Sequence, residues 1–191
     1  MTIFDLTFIG VFFATVITLV VAAVAAIRRR RRARGLLRGL GVFLAVYLGV
    51  VVAVSLLSPR RIVRLGEAQC SDDWCLTVDH VDRTPAGPEI LYTVTIRLFS
   101  RARGRAQREN GVRVYVLDDR GRRHGAQEDP RAVPFNVLLQ PGDSVIAVRR
   151  FLVPADARNP GLVVARGRFP GLFIIGDEQS LFHKPSVVRF P

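Results

Sequence analysis

Two apolar runs near the amino terminus constrain this chain more than any other feature. Residues 6–27 carry no charge over 22 positions, and residues 40–57 carry none over 18. At a helical rise of about 1.5 Å per residue, the first run matches a hydrocarbon core of about 30 Å. The second reaches a similar span if its helix begins near Leu36 and Arg38 snorkels to the headgroups. The expected amino-terminal unit is therefore a two-helix transmembrane hairpin over residues 1–57, with helices at about 6–27 and 36–57. The loop between them, 28–38, is arginine-rich: Arg28, Arg29, Arg30, Arg31, Arg32, Arg34 and Arg38. Arginines flanking membrane helices stay in the cytoplasm. The amino-terminal flank has none and the far flank has Arg60, Arg61 and Arg64, so both termini are expected outside the cytoplasm. A cleaved signal peptide is not expected, because no basic segment precedes the first run and an arginine block follows it.

Small residues recur at every fourth position in each run: Gly10, Ala14, Thr18, Ala22 and Ala26, then Gly41, Ala45, Gly49 and Ala53. Antiparallel folding matches Ala26 with Gly41, Ala22 with Ala45, Thr18 with Gly49 and Ala14 with Ala53 in depth. Such stripes let helix backbones approach closely in lipid, which predicts a packing seam. Small residues are also simply frequent in membrane helices, and the stripe alone does not separate the two explanations.

Beyond Leu57, Ser58-Pro59 ends the helix. Residues 58–66 read as a short connector and 67–191 as one domain of ordinary size. Helical periodicity is absent there. Alternating apolar and polar segments bounded by Gly, Pro, Asp and Asn predict strands at 75–81, 90–99, 112–117, 133–139, 144–153, 162–166, 172–175 and 186–190. In 90–99, Ile90, Tyr92, Val94, Ile96 and Leu98 share one face. Residues 100–110, with Arg101, Arg103, Arg105 and Arg108, read as a long mobile loop. The expected fold class is a transmembrane hairpin plus an all-β antiparallel sandwich. The net charge of +12 is divided evenly between the hairpin and the rest of the chain, and 27 of the 28 basic residues are Arg, so the charge marks no single site.

Leu139-Gln-Pro-Gly-Asp-Ser, Arg150-Phe-Leu-Val-Pro-Ala-Asp-Ala and Gly161-Leu-Val-Val resemble the telokin-like, immunoglobulin-like domain of bacterial surface proteins. Gln69-Cys-Ser-Asp-Asp-Trp-Cys75 and Ser180-Leu-Phe-His-Lys-Pro-Ser-Val-Val-Arg-Phe190 resemble membrane-anchored bacterial proteins with that fold. The resemblance implies an anchored extracytoplasmic immunoglobulin-like domain over 67–191. It brings no catalytic residues, and fold alone licenses no activity.

Cys70 and Cys75 are the only cysteines. Outside the cytoplasm two such neighbours pair, and the expectation is a disulfide that fixes the turn at Asp72, Asp73 and Trp74. A reactive thiol pair would prefer two intervening residues and a helix amino terminus. Trp74 is either a rigid contact residue or, as a lone tryptophan in a sandwich usually is, a core residue. His80, His124 and His183 lack ligand spacing, and Asp118-Asp119 before Gly121 reads as a turn without further calcium ligands. Ser144 and Ser186 have no nucleophile context. A carboxylate pair drawn from Asp72, Asp73, Asp177 and Glu178 requires loops to converge, whereas surface turns explain all four. No metal, cofactor or catalysis is expected.

Arg28 through Arg38 read first as topology determinants and secondly as a magnet for anionic lipid headgroups. Around Arg101–Arg108 only Phe99 is aromatic, so a base-stacking nucleic-acid surface is not expected. The expected partners are the lipid bilayer and either anionic headgroups or a protein of the envelope. The leading expectation is a non-enzymatic interaction module whose contact surface combines Asp72, Asp73, Arg101, Arg103, Arg105 and Arg108. The alternative is an accessory subunit of a membrane complex that works through its helices.

Overall fold

The computed structural model describes residues 3–27, 32–166, 171–177 and 180–191. The chain divides into two compact units, Met1–Pro59 with Arg168–Lys184, and Arg60–Gly167 with Pro185–Pro191. The first contains helices α1 (Ile3–Ile27) and α2 (Arg32–Leu57), both long and apolar enough to cross a membrane. Ser58 closes α2 by donating through both its amide and its hydroxyl to the Val54 carbonyl, at 2.9 and 2.7 Å. Pro59 then prevents continuation.

Three expectations about this unit need correction. Arg32, Arg34 and Arg38 belong to α2 and not to a loop, because Ala33, Leu36 and Leu37 let the helix start earlier. Arg28, Arg29, Arg30 and Arg31 lie outside the described residues. The small-residue seam is not the packing face: Gly10, Ala14, Ala26, Gly41, Ala45, Gly49 and Ala53 are exposed, and open space surrounds a Cβ built on Gly10, Gly41 or Gly49. The helices pack on each other, and exposure is lost instead at Phe8, Thr15, Thr18, Ala22 and Ala25 of α1 and at Leu40, Leu44, Tyr47, Val51 and Ser55 of α2. These positions follow a spacing of three and four residues, which averages to the seam of two helices crossing at a small angle. Strict every-fourth spacing drifts around the helix, so only Thr18 and Ala22 remain in the contact.

The other correction concerns boundaries. Residues 168–184, assigned by sequence to the sandwich, group with the helices. The expected strand at 172–175 is a 3₁₀ turn, Gly171–Phe173, closed by the Ile174 amide on the Gly171 carbonyl. The expected connector 58–66 already contains a strand of the second unit.

That unit is a sandwich of two sheets. Its strands are β1 (Ile62–Val63), β2 (Gln69–Ser71), β3 (Trp74–Ala86), β4 (Glu89–Ser100), β5 (Arg113–Leu117), β6 (Arg123–Gly125), β7 (Ser144–Pro154), β8 (Gly161–Ala165) and β9 (Val187–Arg189). One sheet has the order β1-β9-β8-β5-β6, and the other β2-β3-β4-β7. Every pairing is antiparallel except β1 with β9. The alternation read in 90–99 holds: Ile90, Tyr92, Val94, Ile96 and Leu98 face the core, with Trp74, Leu76, Val78, Phe151, Val153, Leu162 and Val188.

Strict alternation would put Val78 and Val81 on opposite faces of β3, yet both are buried. A bulge between Val78 and His80 restores the inward set. Asp79 is the extra residue, and Arg97 holds its carboxylate through two bonds of 2.9 and 3.1 Å. The expected strand at 133–139 does not form. Pro134 has no amide proton to give, Val137 turns back onto the Pro134 carbonyl, and the Val133 carbonyl is taken by Arg149 Nη2 at 2.6 Å. Only Leu139 pairs, with Gln107.

Candidate functional site

The Cys70–Cys75 hairpin is built by register. β2 and β3 pair Gln69 with Leu76, Cys70 with Cys75 and Ser71 with Trp74, leaving Asp72 and Asp73 as a two-residue turn. Asp72 takes the left-handed conformation, φ 51°, which aspartate tolerates better than most residues. The two cysteines form a disulfide, and no other thiol exists in the chain. Trp74 is 1% exposed and lies in the sandwich core, so the aromatic contact role falls away while Asp72 and Asp73 point to solvent.

The first arginine of the 101–108 loop abuts this hairpin. Trp74 is the register partner of Ser100, and the Arg101 amide donates to the Asp73 carbonyl at 2.8 Å. Arg101, Arg103, Arg105 and Arg108 are exposed, and the Arg101 guanidinium lies over the Phe99 ring at 5.4 Å. The structure thus joins Asp73 to Arg101, two parts of the surface that are far apart in sequence. The sequence reads 100–110 as a long mobile loop, yet it is tied down at two points. Ala102 is buried with its amide on Ser100 Oγ, and Gln107 and Leu139 exchange backbone bonds of 2.8 and 2.9 Å. Arginine 103 and its neighbour Arg105 therefore sit on a short arch between two fixed points.

Sequence reasoning missed Arg166. Its Nη atoms donate to the carbonyls of Gln69 and Cys70 at 3.0 and 3.3 Å, and its guanidinium lies over Trp74 at 6.0 Å. This clamps the hairpin from β8's end, although nothing in a lone arginine after a strand signals it. Among the described residues, the buried Gln69 Nε2, Trp74 Nε1 and Thr77 Oγ1 find no hydrogen-bond partner.

Solved structures similar to this chain include a β-sandwich protein from Clostridium difficile 630, 11% identical at a TM-score of 0.43 and covering 70% of this chain and 96% of its own. The secreted protein MPT63 of Mycobacterium tuberculosis is 11% identical, TM-score 0.43, covering 58% and 92%. The yjhA protein of Bacillus subtilis is 15% identical, TM-score 0.43, covering 67% and 98%. No protein family and no curated protein matches the sequence. Likenesses this distant assign no function.

The remaining sequence candidates scatter. His80 bonds Asp82 at 3.0 Å on an exposed strand, and His124 Nε2 lies 3.7 Å from Asp118. His183 and Asp177 belong to the helical unit, and Glu178 lies outside the described residues. Among the described residues, no group of three His, Cys, Asp or Glu side chains is placed to hold a metal.

The best-built polar cluster lies elsewhere. The Asp118 carboxyl is fully buried and accepts from the Arg122 amide at 2.8 Å and from Arg122 Nε at 2.6 Å. Arg122 and Arg120 both reach Asp156, at 3.1 and 2.7 Å. Burial pushes the Asp118 carboxyl up, but hydrogen bonds from Arg122 outweigh it and the net position is below the usual 3.8. Asp156 is likewise lowered, chiefly by its bond to Arg122. The cluster fastens the turn from β5 to β6 onto the loop after β7. Both carboxylates are taken up by arginine donors, and the cluster acts as a fastener of the fold.

Proposed function

We propose that this chain is a membrane-anchored, extracytoplasmic interaction module with no catalytic role, in which the hairpin spans the bilayer and the sandwich engages a partner. The observation that carries this reading is the Cys70–Cys75 disulfide in the same chain as two helices of spanning length. Disulfides persist in oxidising compartments, and the arginines between the helices favour a cytoplasmic turn. Strand order supports an immunoglobulin-like assignment for the sandwich. β3, β4 and β7 stand where strands A, B and E would, facing a G-F-C-C′ sheet formed by β9, β8, β5 and β6, with a short parallel strand beside G.

The proposed contact surface is the Asp72-Asp73 turn with the Arg101–Arg108 arch. Its partner is an acidic group, either an anionic lipid headgroup or a protein of the envelope. A photo-crosslinking side chain at Arg103 in intact cells tests this, with Asp119, at the opposite end of β5, as the control. Adducts specific to 103 are expected. Equal or absent adducts at both positions would reduce the arch to a solvated loop.

A further inference from the structure

Tyr47 is the one polar side chain of α2 between Arg38 and Ser55. A polar group there needs a reason if the helix lies in lipid. Its hydroxyl donates to the Phe173 carbonyl at 2.7 Å. Ten residues along the helix, at about 1.5 Å each, put Tyr47 about half of a 30 Å hydrocarbon core below Leu57. Lys184 Nζ meets the Leu56 carbonyl at 3.4 Å, at the helix end. Phe173 and Lys184 therefore touch α2 near mid-span and near its carboxy terminus.

Five backbone amides of the element are bonded within it, which suits a setting where water cannot serve unpaired groups. The Ile174 amide bonds the Gly171 carbonyl, Asp177 bonds Ile174, Ser180 bonds Asp177, Leu181 bonds Leu172 and His183 bonds Ser180. The Ser180 hydroxyl, 2.7 Å from the Ile174 carbonyl and 2.9 Å from that of Asp177, ties the two ends of the turn together. Gly171, Ile174 and Ser180 are buried, which puts the irregular backbone against protein. Asp177 is itself engaged by a partner group. Phe182 does the opposite of its neighbours: it is 69% exposed, on a residue with φ 63°. A phenylalanine held outward in the left-handed region is strained and needs a compensating contact.

We propose that the described residues 171–177 and 180–184 form a re-entrant element inserted into the leaflet that holds the carboxy-terminal half of α2. Tyr47 serves its mid-depth carbonyl, Lys184 reaches the headgroup level, and the Phe182 ring lies among acyl chains. The inference rests on the hairpin spanning the bilayer. The occupant of the exposed apolar surface is lipid, because the element groups with helices whose exposed positions over 8–27 and 40–57 are all apolar.

The native disulfide leaves no free thiol, so an environment-sensitive fluorophore can be attached to an introduced cysteine in the full chain. Phe182→Cys reports the element, Ile175→Cys repeats the readout should the first variant misfold, Ile17→Cys reports α1, and Asp119→Cys reports the sandwich. Each is reconstituted into phosphatidylcholine vesicles containing nitroxide-labelled acyl chains. The expected result is quenching at 182 and 175 at least half as strong as at 17, with none at 119. Tyr47→Phe is expected to lower the quenching at 182 at least twofold, and no change there would overturn the tether. Positions 182 and 175 behaving like 119 while 17 is quenched would overturn the inference and leave the hairpin standing. All positions behaving like 119 would overturn both.

Discussion

Gly161 sits at the start of β8, in register with Arg189 of β9. A methyl group there would lie 2.8 Å from the Val188 carbonyl oxygen and collide with the Val187 side chain. Because the neighbour is partly backbone, it cannot step aside cheaply, and Gly161→Ala is expected to destabilise the sandwich by about 1–3 kcal/mol. A denaturant titration of the full chain reads this as a lower midpoint at unchanged slope. Asp118 gives a second prediction. Its folded carboxyl titrates below 3.8, so its contribution is fully present above about pH 4 and is lost as pH falls through the folded value. Asp118→Ala, which leaves Arg122 without its closest acceptor, is expected to cost about 1–3 kcal/mol at pH 7. The cost is expected to shrink in paired pH titrations of both proteins as pH falls below the usual carboxylate range and through the lowered folded value. None of this was legible in the residues themselves. Asp118-Asp119-Arg120-Gly121 reads as a surface turn, and the turn is there, but Asp156, which shares Arg122 with Asp118, is far off in sequence.

At the scale of elements, β4 and β7 were legible almost in full, β3 only over 75–81, and β1, β2 and β6 not at all. β4 and β7 announce themselves because both alternate over ten or more residues, while β1, β2 and β6 hold only two or three residues and owe their existence to neighbours. The segment 133–139 has strand composition, yet Pro134 and the claim of Arg149 on the Val133 carbonyl defeat it. The bulge at Asp79 was hidden, since period-two reading has no means of registering an extra residue. The disulfide was readable from spacing and context. Closing so short a loop stabilises by about 2 kcal/mol at most in the chain-entropy model. The double variant Cys70→Ser, Cys75→Ser is therefore expected to stay folded, with a small drop in stability measured by denaturant. Global unfolding would mean that the hairpin, and not the core, holds the sandwich together.

For the whole molecule, the same physical signals that located the helices misplaced their contact face. Length and apolarity are summed over a run and survive local error, whereas a seam depends on the angle between helices and shifts with a spacing of 3.5 or 4 residues. The boundary at 168–184 escaped for a related reason. Its apolar residues fit a strand as well as a segment lying on α2, and only Tyr47 hints at the second. The proposed role depends on which side of the membrane the sandwich occupies. A membrane-impermeant maleimide applied to intact cells, with and without prior reduction, measures this through Cys70 and Cys75. Labelling of intact cells only after reduction is the predicted result, placing a disulfide-bonded sandwich outside the cytoplasm. Labelling that needs lysis and no reductant would contradict it, putting the domain in the cytoplasm with free thiols.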